Sequence, residues 1–150
     1  MFRLPTNLLD ESQRYLLIID DEPAILAALQ RALRLENYRI LTASSSTEAL
    51  KLLATHPVDV VLSDVRLADM DGLDFLRKIK IIHPDVVRMV LSGSSEVGSV
   101  LKAINEGVMY RFFSKPWEQD DLRNQLRDAF QLRELHRENK RMRQQLLTQQ

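Results

Sequence analysis

The sequence predicts a doubly wound α/β fold: a five-stranded parallel sheet in the order 2-1-3-4-5, helices on both faces, and an extended C-terminal helix. Three observations carry this. Short apolar runs alternate five times with segments whose apolar residues recur at helical spacing. The runs are nearly continuous rather than alternating, as in strands buried on both faces. Polar residues follow four of the five runs, where an open parallel sheet binds its ligands.

Tyr15–Ile19 is the first strand, ending in Asp20–Asp21. Pro23 stands near a helix start, where its missing N–H costs little. Ile25, Leu26, Leu29, Ala32 and Leu33 carry that helix to Leu35, and Asn37 ends the unit. Tyr38–Ala43 is the second strand. Ser46 or Thr47 caps a helix through Ala49, Leu50, Leu52 and Leu53, which Pro57 breaks. Val58–Ser63 is the third strand, followed at once by Asp64. Asp69–Met70–Asp71–Gly72 is turn chemistry. Leu73, Phe75, Leu76 and Ile79 form the third helix, ended near His83–Pro84. Val86–Leu91 is the fourth strand, leading into Ser92–Gly93. Val97, Val100, Leu101 and Ile104 mark the fourth helix, with Gly107 as its C-cap. Val108–Phe113 is the fifth strand, followed by Ser114–Lys115–Pro116. The last helix begins near Trp117. The chain thus divides into an N-terminal arm (1–14), a globular unit (15–131) and a helical extension (132–150).

Composition narrows the function. The 150 residues are 45% hydrophobic and 28% charged, with zero net charge, so no global field points to nucleic acid or an anionic membrane. Zero cysteines exclude disulfides and thiolate metal sites and suit a reducing cytoplasm. No apolar run reaches the roughly 18–20 residues that span a bilayer, and the first residues make a poor signal peptide. His56, His83 and His136 show no metal-ligand spacing and receive no role.

The residues at the strand ends are chemically coherent. Asp20, Asp21 and Asp64 on one rim repel each other, and without a cation one or more would take up a proton. A hard divalent ion such as Mg²⁺, or Mn²⁺, answers that charge and leaves room for phosphate oxygens. Lys115 adds a compact positive charge and Ser92 a hydroxyl. A metal, cationic and hydroxyl donors and a carboxylate nucleophile are the parts of a phosphoryl-transfer site.

D-D-E-P after the first strand, S-D-V-R after the third, S-G after the fourth and S-K-P-W after the fifth resemble the receiver domain of two-component response regulators. Each motif alone is common; all four in order, on these strands, are specific. The resemblance covers Tyr15 to about Gln131 and implies a flavodoxin-like fold. It implies that Asp64 is the phosphoacceptor, fed by a sensor histidine kinase or phosphotransfer protein. Asp21 would bind Mg²⁺ directly and Asp20 directly or through water, with the backbone carbonyl of Arg66 completing the protein ligands. Ser92 stands at the switch hydroxyl, Phe112 at the switch aromatic and Lys115 at the phosphate-contacting lysine, and the Lys115–Pro116 bond resembles the family's cis peptide. Ala68 departs from the usual proline, which leaves that loop freer. Ser92 replaces the commoner threonine, and Phe112 lacks a hydroxyl.

Competing functions fail on particular residues. A mononucleotide binder of this fold needs a phosphate-cradling loop after its first strand, and Asp20–Asp21–Glu22–Pro23 repels phosphate. An aspartyl phosphatase of the haloacid dehalogenase type needs an acid two residues after its nucleophile, and that position is Arg66. The alternative left is a phosphorylation-independent pseudo-receiver acting as an adaptor through the C-terminal helix.

Leu122, Leu126, Ala129 and Phe130 are expected to close the core. Beyond them Leu132, Leu135, Asn139, Met142 and Leu146 are spaced 3, 4, 3, 4, a short coiled-coil seam with Asn139 at an a position, predicting a parallel homodimer. Glu138 at g would pair with Arg143 at e of the partner. Arg133, Arg137, Lys140, Arg141 and Arg143 read as a solvated face without nucleic-acid contact. A tail of this kind after S-K-P-W resembles receivers joined to cyclic-dinucleotide enzymes or related effectors, so the extension is expected to lead to a covalently linked output domain. The whole is expected to be a cytoplasmic signalling domain rather than an enzyme.

Overall fold

The structure, a computed structural model, describes residues 14–93 and 97–148. The expected N-terminal arm, except Arg14, lies outside the described residues. Strands β1 (Arg14–Ile19), β2 (Tyr38–Ala43), β3 (Val60–Asp64), β4 (Val87–Ser92) and β5 (Arg111–Ser114) alternate with helices α1 (Pro23–Ala32), α2 (Ser46–Thr55), α3 (Gly72–Ile82), α4 (Val97–Asn105) and α5 (Gln119–Thr148). The sheet is parallel in the order β2-β1-β3-β4-β5, as the sequence predicts.

The near-continuous apolar strands are explained by two cores, one on each face. Leu16, Ile18, Val60, Leu62, Met89, Leu91 and Phe113 pack with Leu29 of α1 and with Leu122, Leu126, Ala129 and Phe130 of α5. Their chain neighbours Leu17, Ile19, Val61 and Val90 turn to the opposite face, against Ala49, Leu53, Phe75, Leu76, Ile79, Val100 and Ala103 of α2, α3 and α4. With right-handed crossovers, the reversal of strand order between β1 and β3 sends the helices to both sides.

Several element ends differ from the sequence reading, each for a local reason. α1 stops at Ala32 with Leu33 as its cap, and Leu35 is 82% exposed. Apolar periodicity does not distinguish a final helical turn from the turn that follows it. The N-cap of α2 is Ser45, whose Oγ accepts from the Glu48 N–H at 3.2 Å, rather than Ser46 or Thr47. β3 begins at Val60, two residues later than expected, and β4 runs from Val87 to Ser92. β5 begins at Arg111 because Val108 serves the end of α4: its N–H donates to the Ala103 carbonyl, and that of Gly107 to the Ile104 carbonyl. With Gly107 at φ +73°, this is a Schellman ending, which places the expected glycine cap. α5 begins at Gln119 rather than Trp117, since the Glu118 carboxylate accepts the N–H groups of Asp120 and Asp121.

The basic run on α5 is not simply a solvated face. Asp59, 2% exposed just before β3, accepts the Tyr15 N–H at 2.9 Å and a hydrogen bond from Arg137, and Arg133 lies 3.6 Å from it. Lys140 pairs with Asp85 at 3.6 Å. Burial pushes the Asp59 carboxyl up, against the Tyr15 N–H and the two arginines. Residues 133, 137 and 140 share one helical face, so α5 is tied to the amino ends of the strands well beyond Phe130.

Two substitutions test these constraints. A Cβ at Gly72 would lie 2.2 Å from the Asp64 carbonyl oxygen and 2.7 Å from the Val65 carbonyl. Because the obstacle is backbone, Gly72→Ala is expected to destabilise the fold by at least about 2 kcal/mol, read from the urea midpoint. Asp59→Ala leaves Arg133 and Arg137 without their buried partner, and a loss of about 2–4 kcal/mol is expected in the same measurement.

Candidate functional site

Strand register builds the site. Ile19 is paired with Ser63, so Asp20 and Asp64 emerge side by side from β1 and β3. Asp64 is paired with Leu91 and Ser92 with Ser114, so Ser92 and then Lys115 continue along the same rim. The Asp20 N–H donates to the Ala43 carbonyl, that of Val65 to Leu91 and that of Lys115 to Ser92, which fixes the strand ends. Lys115 starts two strands, about 10 Å, from β3. Its side chain crosses back until Nζ stands 3.2 Å from Asp20 Oδ2 and 3.3 Å from Asp64 Oδ2. The Lys115–Pro116 bond that precedes α5 is cis, as the resemblance implied.

The carboxylate oxygens of Asp20, Asp21 and Asp64 lie within 4.8 Å of one another. Asp20 is wholly buried, Asp64 is 7% exposed, and Asp21 faces solvent. Burial pushes the Asp20 carboxyl above the usual range and the charge of Asp64 adds to this, opposed by the Glu22 N–H and by Lys115. For Lys115, burial favours the neutral amine, but Asp20 and Asp64 outweigh it and hold its pKa above the ordinary value. The cluster therefore stores negative charge where water screens it poorly. An all-oxygen set of three acids, one open to solvent, suits Mg²⁺ or Mn²⁺ better than a softer metal.

Of the other sequence-selected residues, Ser92 is 2% exposed and its Oγ donates to the Gly93 carbonyl at 2.9 Å. The Arg66 N–H donates to Asp64 Oδ1 at 3.3 Å, and an antiparallel bridge joins Arg66 to Asp71. Phe112 is half-buried on β5, against the core beneath α2, α3 and α4.

Sequence reasoning missed Asp69. It was read as turn chemistry, yet its carboxylate accepts from the N–H of Ser46 at 3.1 Å, Ser46 Oγ at 2.8 Å, the Thr47 N–H at 3.2 Å and Thr47 Oγ1 at 3.2 Å. The Ser46 N–H leads in lowering its pKa to about 2. No sequence signal links residues 23 positions apart across a crossover.

The position of Lys115 predicts a competition. Lys115→Gln removes the cation bridging Asp20 and Asp64, so Mg²⁺ is expected to bind severalfold more tightly by calorimetry.

Comparison with known proteins agrees with this geometry. The family model described as the response regulator receiver domain matches residues 16–127. The hydrogenase transcriptional regulatory protein HoxA of Bradyrhizobium diazoefficiens is 36% identical over 126 residues, 84% of this chain and 26% of its own length. The C4-dicarboxylate transport transcriptional regulatory protein DctD of Rhizobium meliloti is 34% identical over 84% of this chain and 27% of its own. The chain thus spans about a quarter of the length of these relatives. The signal receiver domain of an HD domain-containing protein from Pseudomonas fluorescens Pf-5 superimposes with a TM-score of 0.79 at 38% identity, covering 83% of this chain and 92% of that one. Fold, site geometry and these matches agree: the chain belongs to the response regulator receiver domain family.

Proposed function

We propose that this chain accepts a phosphoryl group on Asp64 from a phosphohistidine of a sensor histidine kinase or phosphotransfer protein. The observation that carries the reading is the cluster of Asp20, Asp21 and Asp64 with Lys115 lying across it. Asp20, Asp21, Asp64 and the Arg66 carbonyl would hold Mg²⁺, which when bound neutralises charge on the phosphoryl oxygens. An Asp64 carboxylate oxygen bonds to phosphorus as the phosphorus–nitrogen bond breaks, and the departing imidazole takes up a proton. Lys115, already 3.3 Å from Asp64, supports the transferred group.

The new group carries about −1.5 to −2 charge. Ser92 turns its hydroxyl from the Gly93 carbonyl to a phosphoryl oxygen, Lys115 shifts from Asp20, and Phe112 moves inward. The face formed by α4, β5 and α5 then changes its preferred partner. Residues 15–131 act as the switch and residues 132–150 as its extension to an output domain. The curated relatives named above are transcriptional regulatory proteins, and the Pf-5 receiver belongs to an HD domain-containing protein. An enzymatic output, a cyclic-dinucleotide enzyme being the expected kind, rests on the resemblance of the tail after S-K-P-W. Among the described residues no helix is long and apolar enough to cross a membrane. We place the protein in the cytoplasm, where its phosphodonors act, as a signalling domain that assists only its own phosphoryl chemistry.

The extension supports a parallel dimer. Arg133, Arg137 and Lys140 face the receiver's own Asp59 and Asp85. At about 100° per residue, Leu135, Met142 and Leu146 lie on the opposite side, and they are 56%, 55% and 62% exposed. Leu132 packs partly on the receiver core. Leu132, the first position of the expected seam, is thus taken up by the receiver itself. The seam open to a second copy runs from Leu135 to Leu146, with Asn139 setting register and Glu138 facing the partner helix's basic e position.

Labelling by acetyl phosphate is expected to require Mg²⁺ and to disappear in Asp64→Asn. Labelling that persists in that variant overturns the site, and an unlabelled wild type favours the pseudo-receiver. Sedimentation is expected to show concentration-dependent dimers that Leu135→Glu with Met142→Glu abolishes. A wild-type monomer at high concentration, with and without a phosphoryl analogue, refutes the seam.

A further inference from the structure

The loop from Asp64 to Gly72 joins the acceptor to α3, and its anchoring bears on the metal. Its base is closed by the antiparallel bridge of Arg66 to Asp71, in which the Gly72 N–H donates to the Val65 carbonyl at 2.9 Å, and Asp71 then caps α3 through the N–H groups of Leu73 and Asp74. At the tip, Leu67 and Met70 rest on the core and Ala68 is exposed. Alanine at 68 leaves φ unrestrained where a proline would fix it.

Asp69 supplies a restraint from the side chain. Helix α2 presents the first N–H groups of its opening turn, which have no partner within the helix. Ser45 serves only the third of them, that of Glu48. The Ser46 and Thr47 N–H groups go to Asp69, together with both hydroxyls. One carboxylate thus ties the tip of the acceptor loop to a helix that contributes no residue to the acidic cluster.

Resting on the reading above, we infer that Asp69 is a positioning residue. By docking the acceptor loop on the N-terminus of α2, it holds the Arg66 carbonyl where Asp20, Asp21 and Asp64 can share a divalent cation with it. The role differs from capping. A cap stabilises α2 wherever the loop lies, whereas this contact fixes the loop relative to the cluster.

Calorimetric Mg²⁺ titration of the full chain separates the two roles. Asp69→Ala is expected to weaken Mg²⁺ binding roughly tenfold, the scale on which groups that orient metal ligands act. The Mg²⁺ concentration for half-maximal acetyl phosphate labelling should rise by the same factor, with the rate at saturating Mg²⁺ nearly unchanged. Asp69→Asn, which keeps one acceptor oxygen, should fall between. Ser45→Ala removes the local cap of the same helix without touching the loop, and should leave Mg²⁺ affinity at the wild-type value. Amide exchange at Ser46 and Thr47 reports loss of the contact, and circular dichroism that each variant is folded. Equal Mg²⁺ affinity in wild type and a folded Asp69→Ala, or equal weakening in Ser45→Ala, overturns the inference and leaves the acceptor reading standing. A wild type that takes up no Mg²⁺ overturns both.

Discussion

The structure depends on a repulsion that the sheet forces on it. β1 and β3 are neighbours in register, so two aspartates leave adjacent strands side by side, one wholly buried and the other 7% exposed. Charges so placed are poorly screened and attract any cation that can reach them. Lys115 reaches them from two strands away and bonds both. Such a cluster answers sharply to added charge, because each partner is held by the others rather than by solvent.

The rest of the fold supports that rim. Two cores lock the strands into one register, and a shift of one residue would exchange the faces of every strand side chain. Gly72 permits the backbone to close against Asp64 and Val65, where a side chain would collide. At the amino ends of the strands, opposite the acidic rim, Asp59 with Arg133 and Arg137 ties the long helix to the body. The helix is thereby clamped at both its packed start and its charged middle.

The order of the strands and the gathering of polar residues at their ends were legible in the chain, because buried parallel strands have a strong apolar signature. Asp20, Asp21, Asp64 and Lys115 were legible because each directly follows such a strand. Other features were not. Element ends at Leu35, Val58 and Val108 were misplaced where apolar residues continue past the last ladder or helical bond. The basic residues of α5 read as solvated because nothing local marks Asp59 or Asp85 as their partners. Asp69 read as a turn residue because its donors, on Ser46 and Thr47, belong to a helix that precedes it by a whole strand and crossover.

The sequence by itself therefore determined the topology and which polar groups gather at the strand ends, since both follow from local pattern and from rules that parallel sheets obey. Only the tertiary structure decided which charges meet: Lys115 with Asp20 and Asp64, Asp59 with Arg133 and Arg137, Asp69 with the start of α2. It also decided which side of α5 is left open. The physical reason is that these pairings act across distances in the chain that periodicity cannot encode. Their geometry is set by strand register and helix rotation once the two cores have formed.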